Sequence, residues 1–463
     1  MKRNKNILLV NPLGEKIEQI ISNTEWYIAV LIVEQENIKS KYIGNERIGK
    51  IYTYIDILSY NDVSQLNMSE TQEYLSIYHN VEYGMLRYGY TMPEVKYKFY
   101  MGISFLERLF SCNNFDMSVV GCLEHGRIDD VLLMAASKKY NVPVYEFCDI
   151  NADMMVISYK TKNTEYLLPL KEYEHISNLQ DTAVYYQRPL KIASQEGIKQ
   201  KIGNKVYEKI GAWGARMLQA ISRRTFRMYQ FNSYDFSIIE YNLAHLNWYL
   251  LKKYISTKYV NYDAKKKYVI YFLHFEPEAV ISNYANQMDS QLIIIKMLSE
   301  SLPQGWILYV KEHPDMYKMN TYQFDYYIIY SRRFFNRYFV DKILELSNVK
   351  LIDYRIKSNQ LIRNAQGVAT VCGTVILEAV QYHKPLLLFA NENRVMYKYV
   401  DEIFMVNNFN DCKNAMNEII EGYEPTYHNF EKIMSEYCFY ISRNSSWKNA
   451  LQTIEEHFLR QLD

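Results

Sequence analysis

Four short stretches of this 463-residue sequence set reactive side chains directly behind apolar runs: Cys122-Leu-Glu124-His125-Gly126, His274-Phe-Glu276-Pro277-Glu278, Lys311-Glu312-His313-Pro314 and Cys372-Gly373-Thr374. Three of only nine histidines fall in them, each beside a carboxylate or a lysine. A lysine or histidine aimed into a pocket can donate to a phosphate leaving group and stabilise the charge that grows as a bond to it breaks. A carboxylate across the pocket can take a proton from an attacking hydroxyl, and Glu124 is the candidate base. Asp129 and Asp130 are close by, but they open a helical pattern, where the dipole favours acids. Gly373 and Thr374 precede the apolar helix Val375-Ile-Leu-Glu378-Ala-Val, a pattern that lets backbone N–H groups approach phosphate, adds a hydroxyl donor, and puts Glu378 one turn on, within reach of ribose hydroxyls. The same pattern also reads as a plain N-cap at Thr374 with Glu378 exposed. Pro314 suits a loop or a first helical turn and leaves His313 to face the cleft.

The elements that must position these groups are buried parallel strands. Ile7–Val10, Ile28–Val33, Met117–Gly121 and Val142–Glu146 in the first half, and Lys267–Leu273, Trp306–Val310, Val349–Ile352, Gly367–Val371 and Pro385–Phe389 in the second, are short apolar runs followed by polar turns and helical patterns. That rhythm predicts two doubly wound α/β domains. In such sheets ligands sit beyond the carboxyl ends of the strands, where the four reactive stretches fall. From about 155 to 260 the rhythm stops and the pattern is mostly helical, and Ser445–Leu462 predicts a closing amphipathic helix.

Composition narrows the function further. A formal net charge of +1 excludes a surface built throughout to wrap nucleic acid. The six cysteines (Cys112, Cys122, Cys148, Cys372, Cys412, Cys438) form no C-x-x-C pair and no zinc pattern, and read as buried thiols of a reducing compartment. No acidic metal site accompanies the reactive loops, so no metal or other cofactor is expected beyond a nucleotide-sugar co-substrate. The apolar run behind Met1–Lys5 is too short for a signal peptide, and no segment reaches membrane-spanning length. Arg188 to Arg227 carries ten basic residues against Glu196 and Glu208. That run fits a peripheral contact with an anionic inner membrane, and equally a solvated basic face.

The ordered elements F-L-H-x-x-P-E (Phe272–Glu278), D-x-Q-L (Asp289–Leu292), L-P-x-G (Leu302–Gly305), V-K-E-H-P (Val310–Pro314) and G-T-x-x-x-E-A followed by K-P (Gly373–Ala379, Lys384-Pro385) resemble the bacterial capsule polysaccharide biosynthesis family. These are GT-B-like proteins that include Kdo transferases. The histidine-proline and hydroxyl-bearing elements are also similar to those of bacterial sialyl- and polysialyltransferases, which use CMP-sugars. Their acidic-acidic-glycine motif corresponds here to Glu124-His125-Gly126, with histidine in place of the second acid. The resemblance implies a CMP-sugar donor, with His313 and Thr374 near the phosphate and Glu378 near the ribose.

The expectation is therefore a GT-B-like α/β protein with two Rossmann-like domains facing across a cleft: an acceptor-side domain over 1–155, a helical, partly basic connecting segment over 156–262, a nucleotide-sugar domain over 263–440 and a closing helix over 441–463. It would be a cytoplasmic glycosyltransferase. Glu124 and His313 are the expected catalytic residues. Lys311, Pro314, Gly373, Thr374, Glu378, His274 and Glu278 are expected on the donor side, and His125 and Gly126 on the acceptor side. The acceptor would be a saccharide or lipid-linked saccharide of a surface polysaccharide. Two rivals are a sugar-nucleotide epimerase, which acts without an acceptor, and a non-catalytic assembly protein of the same fold.

Overall fold

In the computed structural model the described residues are 5–11, 16–87, 90–121, 128–151, 154–171, 238–276, 288, 290–317, 335–371, 373, 375–389 and 396–462. The apolar runs of the first half become parallel strands β1 (Asn6–Val10), β2 (Tyr27–Val33), β4 (Met117–Val120) and β5 (Val144–Asn151), with β3 (Ile48–Thr53) on the outer edge. They lie in the order β3-β2-β1-β4-β5. Alternate side chains feed two cores: Leu8, Val10, Val30 and Ile32 on one face, and Ile7, Leu9, Leu31 and Val33 on the other. Each such buried aliphatic side chain is worth roughly 1.5–3 kcal/mol, so a two-sided sheet of this kind is held from both faces.

The stretch expected to turn helical from 156 begins differently. β6 (Met154–Lys160) and β7 (Glu165–Leu167) are antiparallel strands that extend the first sheet. Met154–Lys160 is buried at every position and turns back through Thr161 and Thr164, whose hydroxyls lie 2.7 Å apart. A doubly buried strand shows no alternation, so its pattern was indistinguishable from a helix. A helix does follow at Ile238–Ser256. The basic run Arg188–Arg227 lies outside the described residues.

The second half builds a sheet of six parallel strands: β8 (Tyr268–Phe272), β9 (Ile307–Lys311), β10 (Val349–Ile352), β11 (Gly367–Thr370), β12 (Leu386–Leu388) and β13 (Ile403–Met405). Their order, β10-β9-β8-β11-β12-β13, is the doubly wound order in which the chain reverses direction between its first and fourth strands. This confirms the two Rossmann-like sheets of a GT-B-like α/β fold.

The chain then returns to the first sheet. β14 (Phe439–Tyr440) pairs antiparallel with β6, and the helix Asn444–Leu462 lays Trp447, Leu451, Ile454 and Phe458 into the core under β1 and β2. His457 on this helix reaches Tyr145 at 3.0 Å and Tyr166 at 2.9 Å, one contact through each ring nitrogen. Among the described residues no helix is long and apolar enough to cross a membrane. Of the cysteines, Cys412 and Cys438 are buried, Cys148 is half-buried and Cys112 is exposed, so the reading of all six as buried thiols fails at Cys112. Cys122 and Cys372 lie outside the described residues.

Candidate active site at the switch point of the second sheet

Between β8 and β11 the strands run side by side while their connections leave in opposite directions, which opens a crevice at their carboxyl ends. His274 follows β8 and Thr370 ends β11, and the His274 Nε2 lies 3.2 Å from the Thr370 hydroxyl, bridging the crevice. Both are buried. The Gly373 N–H points to the same hydroxyl at 3.4 Å. A side chain at Gly373 would be tight: its Cβ would lie 3.3 Å from Thr370 Oγ1 and 3.4 Å from His274 Cε1. The glycine of the G-T element thus packs closely against the histidine of the F-L-H element.

Gln291, at the start of the helix Gln291–Ser301, holds His274 by its backbone. Its Oε1 accepts from the His274 N–H at 2.7 Å and its Nε2 donates to the His274 carbonyl at 3.2 Å, while Tyr271 donates to Oε1 at 3.3 Å. Gln291 was legible only as a letter in the D-x-Q-L element, and Thr370 only as the last residue of an apolar run. The signal that could have found them is a polar residue at a position otherwise committed to the core.

Lys311 is the last residue of β9, one residue later than the apolar run suggests, and registers opposite Phe272 of β8 and Ile352 of β10. Its side chain is buried, with Nζ 5.9 Å from the centre of the Phe272 ring. Burial pushes its pKa down to about 8, against the pull of Glu378, Glu312 and Asp353. Glu378, on the helix Val375–Gln381, is half-buried rather than exposed, and burial raises its carboxyl to about 7 despite Lys311 nearby. Neither charge is comfortable, and a ligand that brings an anion to the lysine and hydroxyls to the carboxylate relieves both. Glu312 is buried and accepts a hydrogen bond from Tyr259. His313 is half-buried, and its carbonyl accepts from the Met316 N–H at 3.1 Å as Pro314–Tyr317 opens a short 3-10 turn, the first-turn setting expected of Pro314.

The structure therefore brings Lys311, His274, Gly373 and Glu378 to the carboxyl end of one sheet, with His313 and Pro314 immediately beyond β9. Thr374, Glu278, Glu124, His125 and Gly126 lie outside the described residues. In the first sheet the equivalent reversal falls between β1 and β4, where Gly121 donates to the Val10 carbonyl at 2.8 Å and Asn11 takes a left-handed φ of 43°. Glu124 follows Gly121 by three residues in sequence. No group of three or more potential metal ligands occurs among the described residues.

Comparison with known proteins places residues 177–392 in a match to the capsule polysaccharide biosynthesis protein family. No curated protein sequence matches the chain. Among solved structures, KpsC from Thermosulfurimonas dismutans, a beta Kdo 2,7 transferase, is 12% identical, with 76% of this chain and 88% of that one covered at a TM-score of 0.34. The UDP-GlcNAc 2-epimerase of Methanocaldococcus jannaschii is 11% identical over 98% of this chain and 100% of that one, at 0.26. A UDP-forming trehalose-phosphate synthase of Burkholderia vietnamiensis is 10% identical over 99% and 100%, at 0.33. At such scores the fold assignment rests on the strand order itself.

Proposed function

From a chain whose residues 177–392 match the capsule polysaccharide biosynthesis family, we propose a glycosyltransferase that moves a sugar from a CMP-activated donor to a surface polysaccharide or its lipid-linked acceptor at the cytoplasmic side of the membrane. The observation that carries this reading is the placing of buried Lys311 and half-buried Glu378, each within the other's electrostatic reach, at the strand ends that hold the His274–Thr370 bridge, the point where a doubly wound sheet takes its nucleotide.

In this reading the donor phosphate lies against Gly373, with Thr374 next in sequence, within reach of Lys311 and His313. Lys311 meets the phosphate as a cation, and His313 donates to its oxygens as the bond between sugar and phosphate breaks. Glu378 accepts from the ribose hydroxyls. His274, fixed by Gln291 and Thr370, shapes the floor of the pocket. Glu124, from the first domain, takes the proton of the acceptor hydroxyl, with His125 and Gly126 on the acceptor side and Glu278 on the donor side. The charge of the leaving nucleotide is met by fixed protein donors already in place before the bond breaks, so little reorganisation is needed.

The test is a thermal-shift panel with CMP, CDP, UDP and GDP. A ligand at a hundred times its dissociation constant adds about 2.7 kcal/mol of stability. Stabilisation selective for CMP and lost in His313→Ala supports the donor assignment. A response to UDP or GDP instead overturns the donor, and silence toward all four overturns the transferase.

A further inference from the structure

At the far edge of the first sheet, two strands away from the β1–β4 reversal, β3 pairs with β2 and, among the described residues, with no other strand. Lys50 and Tyr52 project from the same face of β3, the face that meets the helix Met92–Cys112. The helix does not close over that face. An open cavity of about 400 Å³ remains between strand and helix, with Lys50, Tyr52, Tyr60, Phe105, Arg108 and Cys112 on its wall.

Its chemistry is specific. Tyr52 and Tyr60 each stand edge-on to Phe105, with ring centres 5.1 and 5.4 Å away, so three aromatic rings form one wall. Around them are three cations. Lys39 is held by Asp56 at 2.9 Å, and one Arg108 nitrogen meets Asp62 at 3.1 Å and the Tyr60 hydroxyl at 3.5 Å, with no bond from its other nitrogens among the described residues. Lys50 is exposed and joins no ion pair among the described residues. Against Lys39, Lys50 and Arg108 the wall carries a single acid, Asp56. Aromatic rings offer flat apolar faces to the C–H faces of pyranose rings, and a planar guanidinium with a lysine recognises carboxylates. A purely apolar ligand would leave Lys50 and the outer nitrogens of Arg108 unmatched, and a simple anion would leave the aromatic wall unused.

We propose that this cavity is a second saccharide site that holds a carboxylate-bearing stretch of the growing polymer, away from the transfer cleft. The inference rests on the polysaccharide reading of the protein, but it concerns different residues. The half-buried Tyr52 and Tyr60, backed by the buried Phe105, supply the apolar wall, and Arg108 and Lys50 bind the carboxylates of successive acidic residues. A polymer anchored there stays on the enzyme between additions, so the site makes extension processive without touching the reacting atoms.

Cys112, exposed on the cavity wall, reports occupancy directly. The rate of maleimide labelling at Cys112 would be followed in the full chain with oligomers of galacturonate, hyaluronan and α2,8-linked sialic acid, with maltohexaose as the neutral sugar and polyglutamate as the anion without sugar. Each labelled product would be assigned by peptide mapping. At least a fivefold slowing by one or more of the acidic oligosaccharides is expected, absent with maltohexaose and polyglutamate. It should also be absent in Lys50→Glu and in Arg108→Ser, whose exposed side chains can be changed without opening the core. Equal protection by polyglutamate would reduce the cavity to a general anion site, and protection by none of the three acidic oligomers would overturn the proposal. CMP stabilisation measured on the same samples separates the two readings. It persists in both variants if the transferase assignment holds, whichever way the labelling falls.

Discussion

The two sheets share a winding order and differ in what they bury at its turning point. At the carboxyl ends of the second sheet, Lys311, Glu312, His274 and Thr370 are buried ionisable or polar groups, and Glu378 is half-buried beside them. At the corresponding end of the first sheet the described residues are backbone devices, the left-handed Asn11 and the Gly121 N–H bonded across to β1. The first sheet buries Lys160 too, but against Glu146 at 2.7 Å and Glu165 at 2.9 Å, whereas burial lowers the pKa of Lys311 and raises that of Glu378 to about 7, which makes them the better candidates for ligand contact. On the proposed reading the second sheet holds the donor, and the first presents the acceptor and a base.

The sharpest way to break that division is at the base. Glu124→Gln should lower the transfer rate by about 10²–10⁴, the range for loss of a general base, while CMP stabilisation stays intact. Rate loss and unchanged nucleotide response together place Glu124 in chemistry alone. Loss of the nucleotide response as well would move it to the donor side and erase the proposed split.

The counterpart in the second sheet is Lys311→Met, which keeps the length of the side chain and removes the charge. A charge-assisted hydrogen bond to phosphate is worth roughly 1.5–3 kcal/mol, so CMP affinity should fall about 10- to 100-fold in calorimetric titration. An affinity within threefold of the parent would show that the phosphate lies elsewhere.

How much of this was legible depends on what each residue does. The strands of both sheets could be read because continuous apolar runs such as Tyr268–Phe272 bury every side chain and so carry their own signature. The reactive loops could be read because charge at a strand end is conspicuous. β3, with Gly49 and Lys50 exposed at its centre, has no such signature, and its place at the edge follows from tertiary pairing with β2. Met154–Lys160 failed for the opposite reason, being apolar enough to pass for part of a helical stretch. Gln291 and Thr370 could not be seen as site residues because they lie 17 and 96 positions from the His274 backbone and ring that they respectively contact. The same holds for the match of Glu378 to Lys311, which exists only once β9 and β11 flank β8.

That match makes a prediction in pH. The Lys311 cation is fully present below its lowered pKa of about 8, and the Glu378 carboxylate is fully present above its raised one of about 7. CMP affinity should therefore peak between about 7 and 8 and decline on both sides, the alkaline limb vanishing in Lys311→Met and the acid limb in Glu378→Gln. Stability has its own sign. Because the folded state holds the Glu378 proton that the unfolded chain releases near 4.5, its contribution is whole below that pH and lost as pH rises through about 7. Glu378→Gln should thus raise the unfolding midpoint relative to the parent at pH 8 and leave it nearly unchanged at pH 4.5. For Lys311, lowered from 10.5, the contribution is whole above 10.5 and lost as pH falls through about 8. A flat affinity profile from pH 6 to 9 would sink the pairing.

The smallest effect expected is at Gly373. An added methyl would meet Thr370 Oγ1 and Val375 Cγ1 at 3.3 Å each and His274 Cε1 at 3.4 Å, contacts a few tenths of an ångström too tight. None of the three is backbone, so the neighbours can yield, and Gly373→Ala should cost about 1 kcal/mol, the low end of the range for overpacking. The accompanying shift in His274 is informative, because a displaced ring disturbs its 3.2 Å contact with Thr370. If that bridge shapes the nucleotide floor, CMP affinity in Gly373→Ala falls together with the unfolding midpoint. If the midpoint falls and the affinity does not, the bridge is packing alone, and recognition in the second sheet rests on Lys311, His313 and Glu378.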